Sequence, residues 1–331
     1  MSNKQTGFTL VELMIALTLG LIIVAAGLAI FLSGNRILAL QNAMDELQQN
    51  ANLGLALIAA DLRLSNLNTL SLQQVNNKNN GSGIIFNAQN FPPSMRDNTE
   101  ALWTSQERTE AATELKSDQL LIQYKPVYTK GDKGEGSNRR EVYKGGYNCE
   151  GEKIEFNTEN QGDNQPFGQK IIVNRYYIKK DPQQVLGEPE AYSLFCQSGY
   201  YAEADTAISG FKASGGQQII KRVDSFKIRL GVKAPDGQLR YLSINQYLAL
   251  MPDDLTAQEA FYNVVSIELN LLVRASTPLS KISLPNPNEN IELAGSTLRL
   301  KDNQNTEKQY LRQRISQVIA LRNTLGTDTY E

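Results

Sequence analysis

An uninterrupted apolar run dominates the N-terminal part of the chain. Between Phe8 and Leu32 the only charged residue is Glu12, and residues 13–32 carry no charge at all. A helix rises 1.5 Å per residue, so this run extends about 30 Å, which matches the hydrocarbon core of a lipid bilayer. The pattern therefore predicts a helix that spans a membrane.

The helical pattern continues beyond the apolar run as a one-sided stripe. Apolar residues recur at steps of three and four, the period of an amphipathic helix, and no proline interrupts residues 8–67. We expect one continuous helix in two parts: residues 8–33 for a membrane or filament core, and residues 34–67 against a globular domain. A coiled-coil seam is the alternative, but the small Ala51 and Gly54 favour close packing on a sheet. The stripe consists of Leu40, Met44, Leu47, Ala51, Leu55, Ile58 and Leu62.

Residues 68–331 predict a β-rich globular domain with long polar loops. Short runs of β-branched and aromatic residues predict strands, and clusters of Asn, Gly and charge predict mobile surface loops between them. The sequence Ala234-Pro235-Asp236-Gly237 predicts a tight turn. Together with the long helix, these elements predict an α+β fold. The predicted strands cover residues 84–86, 120–124, 171–178, 192–195, 223–230 and 265–271, the predicted loops cover residues 76–83, 131–140 and 157–168, and residues 285–288 form a further break.

The boundary before the apolar run has a distinctive form. A short polar leader, residues 1–7, ends at Gly7, and Glu12 is the fifth residue after that junction. A conventional secretory signal would have a shorter apolar region and a small-residue cleavage site beyond it, whereas here the apolar run passes through Ala25-Ala26-Gly27. An ordinary membrane anchor is the alternative, but a carboxylate costs up to about 2–3.5 kcal/mol at the bilayer centre and a buried charge needs a partner. Cleavage after Gly7 would create that partner as a new amino terminus.

Composition and motifs give no indication of catalysis. The chain has a formal net charge of −2 and no histidine, which removes the commonest general base and the commonest transition-metal ligand. No Gly-x-Ser-x-Gly elbow, Walker loop or dinucleotide fingerprint is present, and the glycine-rich residues 131–136 match no phosphate-binding loop. Asp253 and Asp254 would need loop carbonyls to bind calcium, and such pairs are usually just solvated. We expect a protein that is not an enzyme and that has no cofactor and no metal site.

Several segments resemble one protein family. The junction from Gly7 to Glu12 resembles the class III signal of type IV prepilins and pseudopilins. The segments that resemble the PilW-type minor pilins are residues 7–14, 57–63, 117–118, 264–274 and 318–323. The PilW-type minor pilins would usually have a tryptophan before the strand at residue 264, where this chain has Phe261 and Tyr262, so an aromatic residue is kept.

The resemblance implies a type IV pilin-like fold and a role in priming pilus assembly. A membrane peptidase would cut after Gly7 and methylate the amine of Phe8, and Glu12 would pair with the amine of a neighbouring subunit and set the axial register. The protein would cross the inner membrane once, with its globular domain in the periplasm, and would later lie at the pilus tip. The implied partners are other minor pilins, the major pilin, the inner-membrane assembly platform, the prepilin peptidase and a large tip adhesin.

The two cysteines, Cys149 and Cys196, each border a predicted strand. Because the leader would send this domain to an oxidising periplasm, a disulfide between them is favoured. Such a bridge would contribute about 4 kcal/mol on the chain-entropy model. The alternatives are weaker, since a chain without histidine has no Cys–His nucleophile and two thiols alone make a poor zinc site.

Two other functions remain open. A J-type minor pseudopilin of a type II secretion system has the same leader and helix, and only the C-terminal resemblances favour a pilus. A tip module that binds DNA or a surface would need a basic stripe with aromatic residues. Arg139 and Arg140 lie in such a cluster, but carboxylates dilute it, so we expect contacts with protein partners there and no nucleic acid. The cluster comprises Lys125, Lys130, Lys133, Arg139, Arg140 and Lys144 with Tyr124, Tyr128 and Tyr143.

Overall fold

The computed structural model describes residues 7, 9–71, 73–98, 102–134, 139–160, 162, 165–256, 258–279, 290–304 and 308–324. Its first element is one continuous helix, α1, from Leu10 to Leu64. The helix stops short of Leu67 because Asn66 and Asn68 adopt positive φ angles of 67° and 50°. Asparagine tolerates this left-handed region, which a right-handed helix cannot use.

Fourteen strands and a second, short helix follow within the described residues. The helix α2 covers Ile244–Leu250, and 3₁₀ turns cover Ala88–Asn90, Pro93–Asn98, Gln258–Ala260, Asp302–Gln304 and Arg322–Thr324. The strands are β1 (Ser105–Thr109), β2 (Ser117–Tyr124), β3 (Thr129–Lys133), β4 (Arg140–Tyr147), β5 (Lys153–Asn157), β6 (Ile171–Lys180), β7 (Tyr192–Tyr201), β8 (Gln217–Ile220), β9 (Val223–Lys233), β10 (Leu239–Leu242), β11 (Asn263–Leu279), β12 (Ile291–Leu293), β13 (Ser296–Leu298) and β14 (Gln309–Ala320).

These strands form four sheets in which the described pairs are antiparallel. The larger two have the strand orders β1-β2-β6-β7-β8 and β10-β9-β11-β14, and the smaller two are β3-β4-β5 and β12-β13. Helix α1 packs on both larger sheets, against β8 of one and against β11 and β14 of the other. A long N-terminal helix on antiparallel sheets is the predicted α+β, type IV pilin-like fold, which is confirmed.

The second half of α1 supplies one wall of the core. The stripe from Leu47 to Leu62 is buried as predicted, but Met44 is 42% exposed and Ala43 is buried in its place. Gly54 marks a close approach of helix to sheet, because an added Cβ would lie 2.1 Å from Cγ1 of Ile220. The absence of a side chain at Gly54 therefore sets the distance between helix and sheet.

Two predictions about residues 76–86 are wrong. The segment 84–86 is not a strand, because only Ile84 forms an isolated bridge, to Ile122. The segment 76–83 is not a mobile surface loop, since Asn76 is fully buried and its Oδ1 accepts hydrogen bonds of 2.9 Å from the N–H groups of Lys78 and Asn79. Asparagine side chains satisfy the backbone of this polar loop, which allows it to enter the core.

The prediction of a loop over residues 131–140 is wrong at both ends of that segment. Residues 131–133 belong to β3 and Arg140 begins β4, so the two ends of this segment form an antiparallel hairpin. Residues 135–138 lie outside the described residues, as do residues 285–288 of the predicted break and residues 161, 163 and 164 of the predicted loop at 157–168. The predicted turn at residues 234–237 is confirmed, because the N–H of Gly237 donates to the carbonyl of Ala234 at 2.9 Å.

The sheet β3-β4-β5 lies beyond the C-terminal end of α1. The N–H of Lys125, just before this sheet, donates to the carbonyl of Leu67 at 2.9 Å. Leu67 also packs in a cluster with Tyr124 and Phe156. Because the apolar half of α1 is at the other end of the molecule, we call β3-β4-β5 the distal sheet.

Candidate functional site

The N-terminal junction forms a reciprocal helix cap. The hydroxyl of Thr9 accepts a hydrogen bond of 3.3 Å from the N–H of Glu12, and the Glu12 carboxylate accepts from the N–H and hydroxyl of Thr9 at 2.9 and 3.0 Å. This capping box satisfies donors that the first turn of a helix leaves free. An added Cβ at Gly7 would have no heavy atom within 4 Å, and Phe8 lies outside the described residues. Sequence reasoning identified Glu12 but missed Thr9, although the spacing Thr-x-x-Glu is the signature of this cap.

The first half of α1 extends from the domain with its apolar side chains uncovered. Leu21 is 73% exposed and Ile30 is 75% exposed, and none of the most apolar 18-residue window is buried. A helix of this length and composition is suited to cross a membrane. The second half also leaves an apolar edge uncovered, since Leu53 and Leu57 are 68% and 54% exposed.

Cys149 and Cys196 form a disulfide, with Cα atoms 6.1 Å apart. The predicted pair is therefore confirmed. Cys196 lies in β7, and Cys149 lies in the turn that follows β4 of the distal sheet. The next residue, Glu150, accepts a hydrogen bond of 2.8 Å from the N–H of Ser198 and pairs with Lys212 at 2.6 Å. A covalent bond and a buried carboxylate thus fasten the distal sheet to the five-stranded sheet.

Arg140 is the first residue of β4 in the distal sheet, and Arg139 directly precedes it. Arg139 forms an ion pair with Asp132 across the hairpin. Two further members of the predicted basic cluster are also paired, Lys130 with Glu141 at 3.1 Å and Lys133 with Glu155 at 3.2 Å. Because each of these cations faces a carboxylate, the hairpin presents an alternating surface and not the basic stripe that nucleic acid requires.

The carboxylate of Asp254 is used within its own segment of backbone. One oxygen of Asp254 accepts hydrogen bonds of 2.8 Å from both the N–H and the hydroxyl of Thr256. These hydrogen bonds to the charged carboxylate lower the pKa of Asp254. The Asp254 side chain thus stabilises a local turn. Within the described ranges of the chain, no group of three acidic, cysteine or histidine residues lies close enough to hold a metal ion.

Comparisons with known proteins identify two regions of the chain. Residues 175–323 match the family model described as type IV pilus-assembly protein W, and residues 2–28 match the prokaryotic N-terminal methylation motif. The chain belongs to the PilW-type pilins. It is therefore a pilin-like protein of type IV pilus assembly, and not an enzyme.

The other comparisons add little to this assignment. No curated protein matches the chain. A type IV-like pilin from Thermus thermophilus aligns with 84% of this pilin and 96% of its own chain, at 10% identity and a TM-score of 0.33. A score this low does not support any further inference.

A chain of six buried or half-buried charges crosses the PilW-matched region of this pilin. Arg274 is 0% exposed and lies 3.2 Å from Glu188 and 3.7 Å from Asp224. Burial lowers the pKa of Arg274, and the Asp224 carboxylate opposes that change. The full order, with ion-pair distances between neighbours of 2.6, 2.7, 3.2, 3.7 and 2.6 Å, is Asp181, Arg222, Glu188, Arg274, Asp224 and Arg312.

This charge chain joins the two larger sheets of the PilW-type domain. Asp181 and Glu188 lie in the turn between β6 and β7, whereas Asp224, Arg274 and Arg312 lie on β9, β11 and β14. Sequence reasoning missed this network of charges, because its members are far apart in sequence and no local pattern shows which of them meet. A buried ion pair contributes little net stability, but removal of one partner leaves a buried charge without compensation.

A second buried carboxylate of this pilin lies between α1 and the five-stranded sheet. Asp61 accepts a hydrogen bond of 2.5 Å from the hydroxyl of Tyr176, and Asn174 lies 3.4 Å away. Burial raises the pKa of Asp61 to about 6, against the opposing effect of the Tyr176 hydrogen bond. Helix and sheet therefore meet at a carboxylate that titrates near neutral pH.

The predicted site residues divide between matched and unmatched parts of the chain. Gly7, Phe8 and Glu12 fall within the N-terminal methylation motif, which implies processing by a prepilin peptidase. Arg139 and Arg140 lie outside both matched regions. The structure does not bring these two groups together, because they lie at opposite ends of α1.

Proposed function

We propose that this protein is a minor pilin that primes type IV pilus assembly and remains in the complex at the pilus tip. The observation that carries the proposal is the continuity of α1, which joins an uncovered apolar half to a helix face buried in a PilW-type domain. One rigid element therefore carries both the part that inserts in a bilayer or filament core and the part that positions the domain. Partners for such a helix are the helices of other minor pilins and of the major pilin.

The proposal assigns a separate role to each part of the chain. Residues 1–7 are a leader, residues 8–33 form the membrane or filament-core half of the helix, residues 34–67 hold the domain, and residues 68–331 are that domain. The protein crosses the inner membrane once with its domain in the periplasm, and then moves to the tip at the cell surface. A disulfide in the domain is suited to such an oxidising compartment.

Processing at the junction would create the amine with which Glu12 pairs during assembly. The prepilin peptidase cuts after Gly7 and methylates the amine of Phe8. Before assembly, the Glu12 carboxylate is satisfied within its own chain by Thr9. During assembly it pairs with the amine of a neighbouring subunit, which sets the axial register of the two helices.

The distal sheet is the proposed contact surface for a large tip adhesin. It lies at the end of the domain that faces away from the membrane when α1 stands upright. Val127 beside the sheet is 70% exposed and Tyr147 at the end of β4 is 63% exposed. Arg140 lies in the same sheet, and Arg139 directly precedes it. A surface with apolar, aromatic and paired charged groups suits a protein partner better than a nucleic acid.

The test is an in-frame deletion in backgrounds with and without the retraction motor, with surface pili and secreted proteins measured together. We expect pili to be lost, to recover partly without retraction, and secretion to stay intact, because priming affects assembly and not the assembled filament. Normal pili with lost secretion would instead identify a J-type pseudopilin of a type II secretion system. Normal pili with normal secretion would leave a tip module that binds DNA or a surface.

Complementation of the deletion separates anchoring from assembly. Glu12→Gln should restore membrane insertion but not pili, because the neutral amide cannot pair with the amine of a neighbour. Asp45→Asn, an exposed carboxylate on the same helix, is the matched control and should restore both. Full piliation by Glu12→Gln would contradict the assigned role of Glu12.

A further inference from the structure

The turn between β6 and β7, residues 181–191, holds two aliphatic side chains in solvent. Leu186 is 100% exposed and Val185 is 60% exposed. This apolar surface is left in water, although its burial would be favourable. We call Val185 and Leu186 the turn tip.

The turn tip is held in place by strong contacts on both sides. Before it, Asp181 pairs with Arg222 at 2.6 Å, and after it, Glu188 pairs with Arg222 at 2.7 Å. The side-chain amide of Gln184 donates to the carbonyls of Asp181 and Ala191 at 2.7 and 2.9 Å. The outward position of the tip is thus set by the buried charge chain and is not a result of a loose connection.

The turn tip lies at the end of the domain where α1 leaves the membrane. A Cβ added at Gly187, next to the tip, would lie 3.7 Å from Nζ of Lys308. Lys308 precedes β14, whose first residue, Gln309, pairs with Leu279 of β11. Leu279 in turn lines the same cleft as Leu32, the last residue of the uncharged apolar run. The tip and the exit point of the helix are therefore at a similar height along α1.

A cleft beside the exit point has the chemistry of a lipid contact. It has a volume of about 240 Å³ and lies between α1 and the end of β11. Arg36, the first charged residue after the apolar run, is part of its wall together with Leu32 and Leu279. Apolar walls with a single cation at the rim match the acyl chain and phosphate of a phospholipid.

We propose that this end of the domain rests on the bilayer surface, with the turn tip inserted among lipid headgroups and Arg36 on lipid phosphates. The proposal rests on the membrane anchoring given under Proposed function. It adds a second contact with the bilayer, at the turn tip, to the one made by α1. Two separate contacts fix the tilt and rotation of the subunit in the membrane, whereas a single helix would leave the whole subunit free to tilt and rotate.

The test uses full-length protein in two sets of liposomes of phosphatidylethanolamine and phosphatidylglycerol, with acyl chains brominated close to the headgroup in one set and close to the bilayer centre in the other. Tryptophan is introduced by Leu186→Trp at the turn tip, by Leu21→Trp in the apolar half of α1, or by Val127→Trp beside the distal sheet. All three carry Trp103→Phe, which removes an indole N–H that has no hydrogen-bond partner. The three positions are exposed by 100%, 73% and 70%, so the substitutions do not disturb the core.

Bromine quenches tryptophan emission only at short range, so each probe reports its own distance from the lipid. We expect quenching and a shift to shorter wavelength at positions 21 and 186, and neither at position 127. Quenching at 21 without quenching at 186 would overturn the lipid contact alone. No quenching at position 21 would refute the membrane anchor, and the lipid contact with it. Val185→Trp provides a second probe of the turn tip.

Discussion

The hydroxyl of Tyr176 on β6 donates a hydrogen bond of 2.5 Å to the carboxylate of Asp61 on α1. This contact joins the helix to the five-stranded sheet inside the core, where burial raises the pKa of Asp61 to about 6. The folded-state pKa thus exceeds the ordinary value of 3.8, so protonation favours the folded protein. The stability that Asp61 contributes is fully present below pH 3.8 and is lost as the pH rises through 6.

Asp61→Asn should remove this pH dependence, because the amide still accepts from Tyr176 but carries no charge. We expect the stability of the variant relative to the parent to increase by about 2–3 kcal/mol between pH 4 and pH 7.5. Urea unfolding of the full chain in detergent, followed by circular dichroism, measures this difference. Asp45→Asn, on the exposed side of the same helix, should show no such trend. A constant difference for Asp61→Asn across this range would contradict the prediction.

Arg274→Met should destabilise the protein strongly. The change leaves Glu188 and Asp224 without the guanidinium between them, and removal of one member of a buried ion network costs about 3–5 kcal/mol. Arg240→Met is the matched control, since Arg240 is exposed and the ion pair that it forms with Asp236 spans 3.9 Å. The control should change the free energy of unfolding by less than about 0.5 kcal/mol. Equal effects in the two variants would show that the buried charges are compensated in another way.

Gly54→Ala should destabilise the protein although alanine is the better helix former. Its Cβ would meet Ile220 at 2.1 Å and the carbonyl of Ile219 at 3.2 Å, and overpacking of this kind costs about 1–3 kcal/mol. Gly34→Ala is the control on the same helix, where no heavy atom lies within 4 Å of the new Cβ. It should stabilise the helix by about 0.5–1 kcal/mol. Opposite signs for the two variants in thermal unfolding are the expected result.

Replacement of both Cys149 and Cys196 by Ser should lower the free energy of unfolding by about 4 kcal/mol, because the bridge closes a loop of 47 residues. The loss of protection should concentrate in residues 139–160 of the distal sheet, since Cys149 fastens that sheet to β7. Hydrogen exchange of parent and variant measures this distribution. Reductant should reproduce the effect in the parent and leave the variant unchanged; uniform loss of protection would indicate that the bridge acts on the whole domain.

Gly7→Val should block removal of the leader, because the resemblance to class III signals requires a small residue at the cleavage point. Intact-mass analysis of the membrane fraction should find the full-length chain without methylation. Gly20→Ala, in the apolar half of α1 with no heavy atom within 4 Å of the new Cβ, should be processed normally. A processed Gly7→Val chain would refute the assigned cleavage site.

The long helix and five of the described strands, β2, β6, β7, β9 and β11, were predictable, because burial imposes an apolar period or a run of β-branched and aromatic residues on the sequence. The stripe from Leu47 to Leu62 and the alternation around Ile267 both reflect such burial. The segment at residues 76–83 was not predictable, because its asparagines serve its own backbone and composition does not distinguish that use from solvation. At the start of the stripe, Met44 follows the apolar period but is exposed, because the face covered by the domain is centred on Ala43 there.

The functional residues were predictable only where they are close in sequence. Glu12 was found from its distance to Gly7, whereas the charge chain joins residues such as Asp224 and Arg312 that are 88 positions apart. Sequence alone gives no information on which distant charges meet. The same limit applies to the pairs around Arg139, whose partner Asp132 was recognised only as a diluting charge.

The domain is attached to α1 at several heights, and this distribution determines how the subunit bears load. Glu46 accepts from the N–H of Ser276 at 3.2 Å, Asn50 donates to the carbonyl of Lys221 at 2.8 Å, and Asp61 accepts from Tyr176. These contacts extend over about 20 Å of helix at 1.5 Å per residue. A pull along the helix axis therefore loads these three contacts together, and it loads them in shear. A contact at a single height would have to carry the whole tension of a retracting filament.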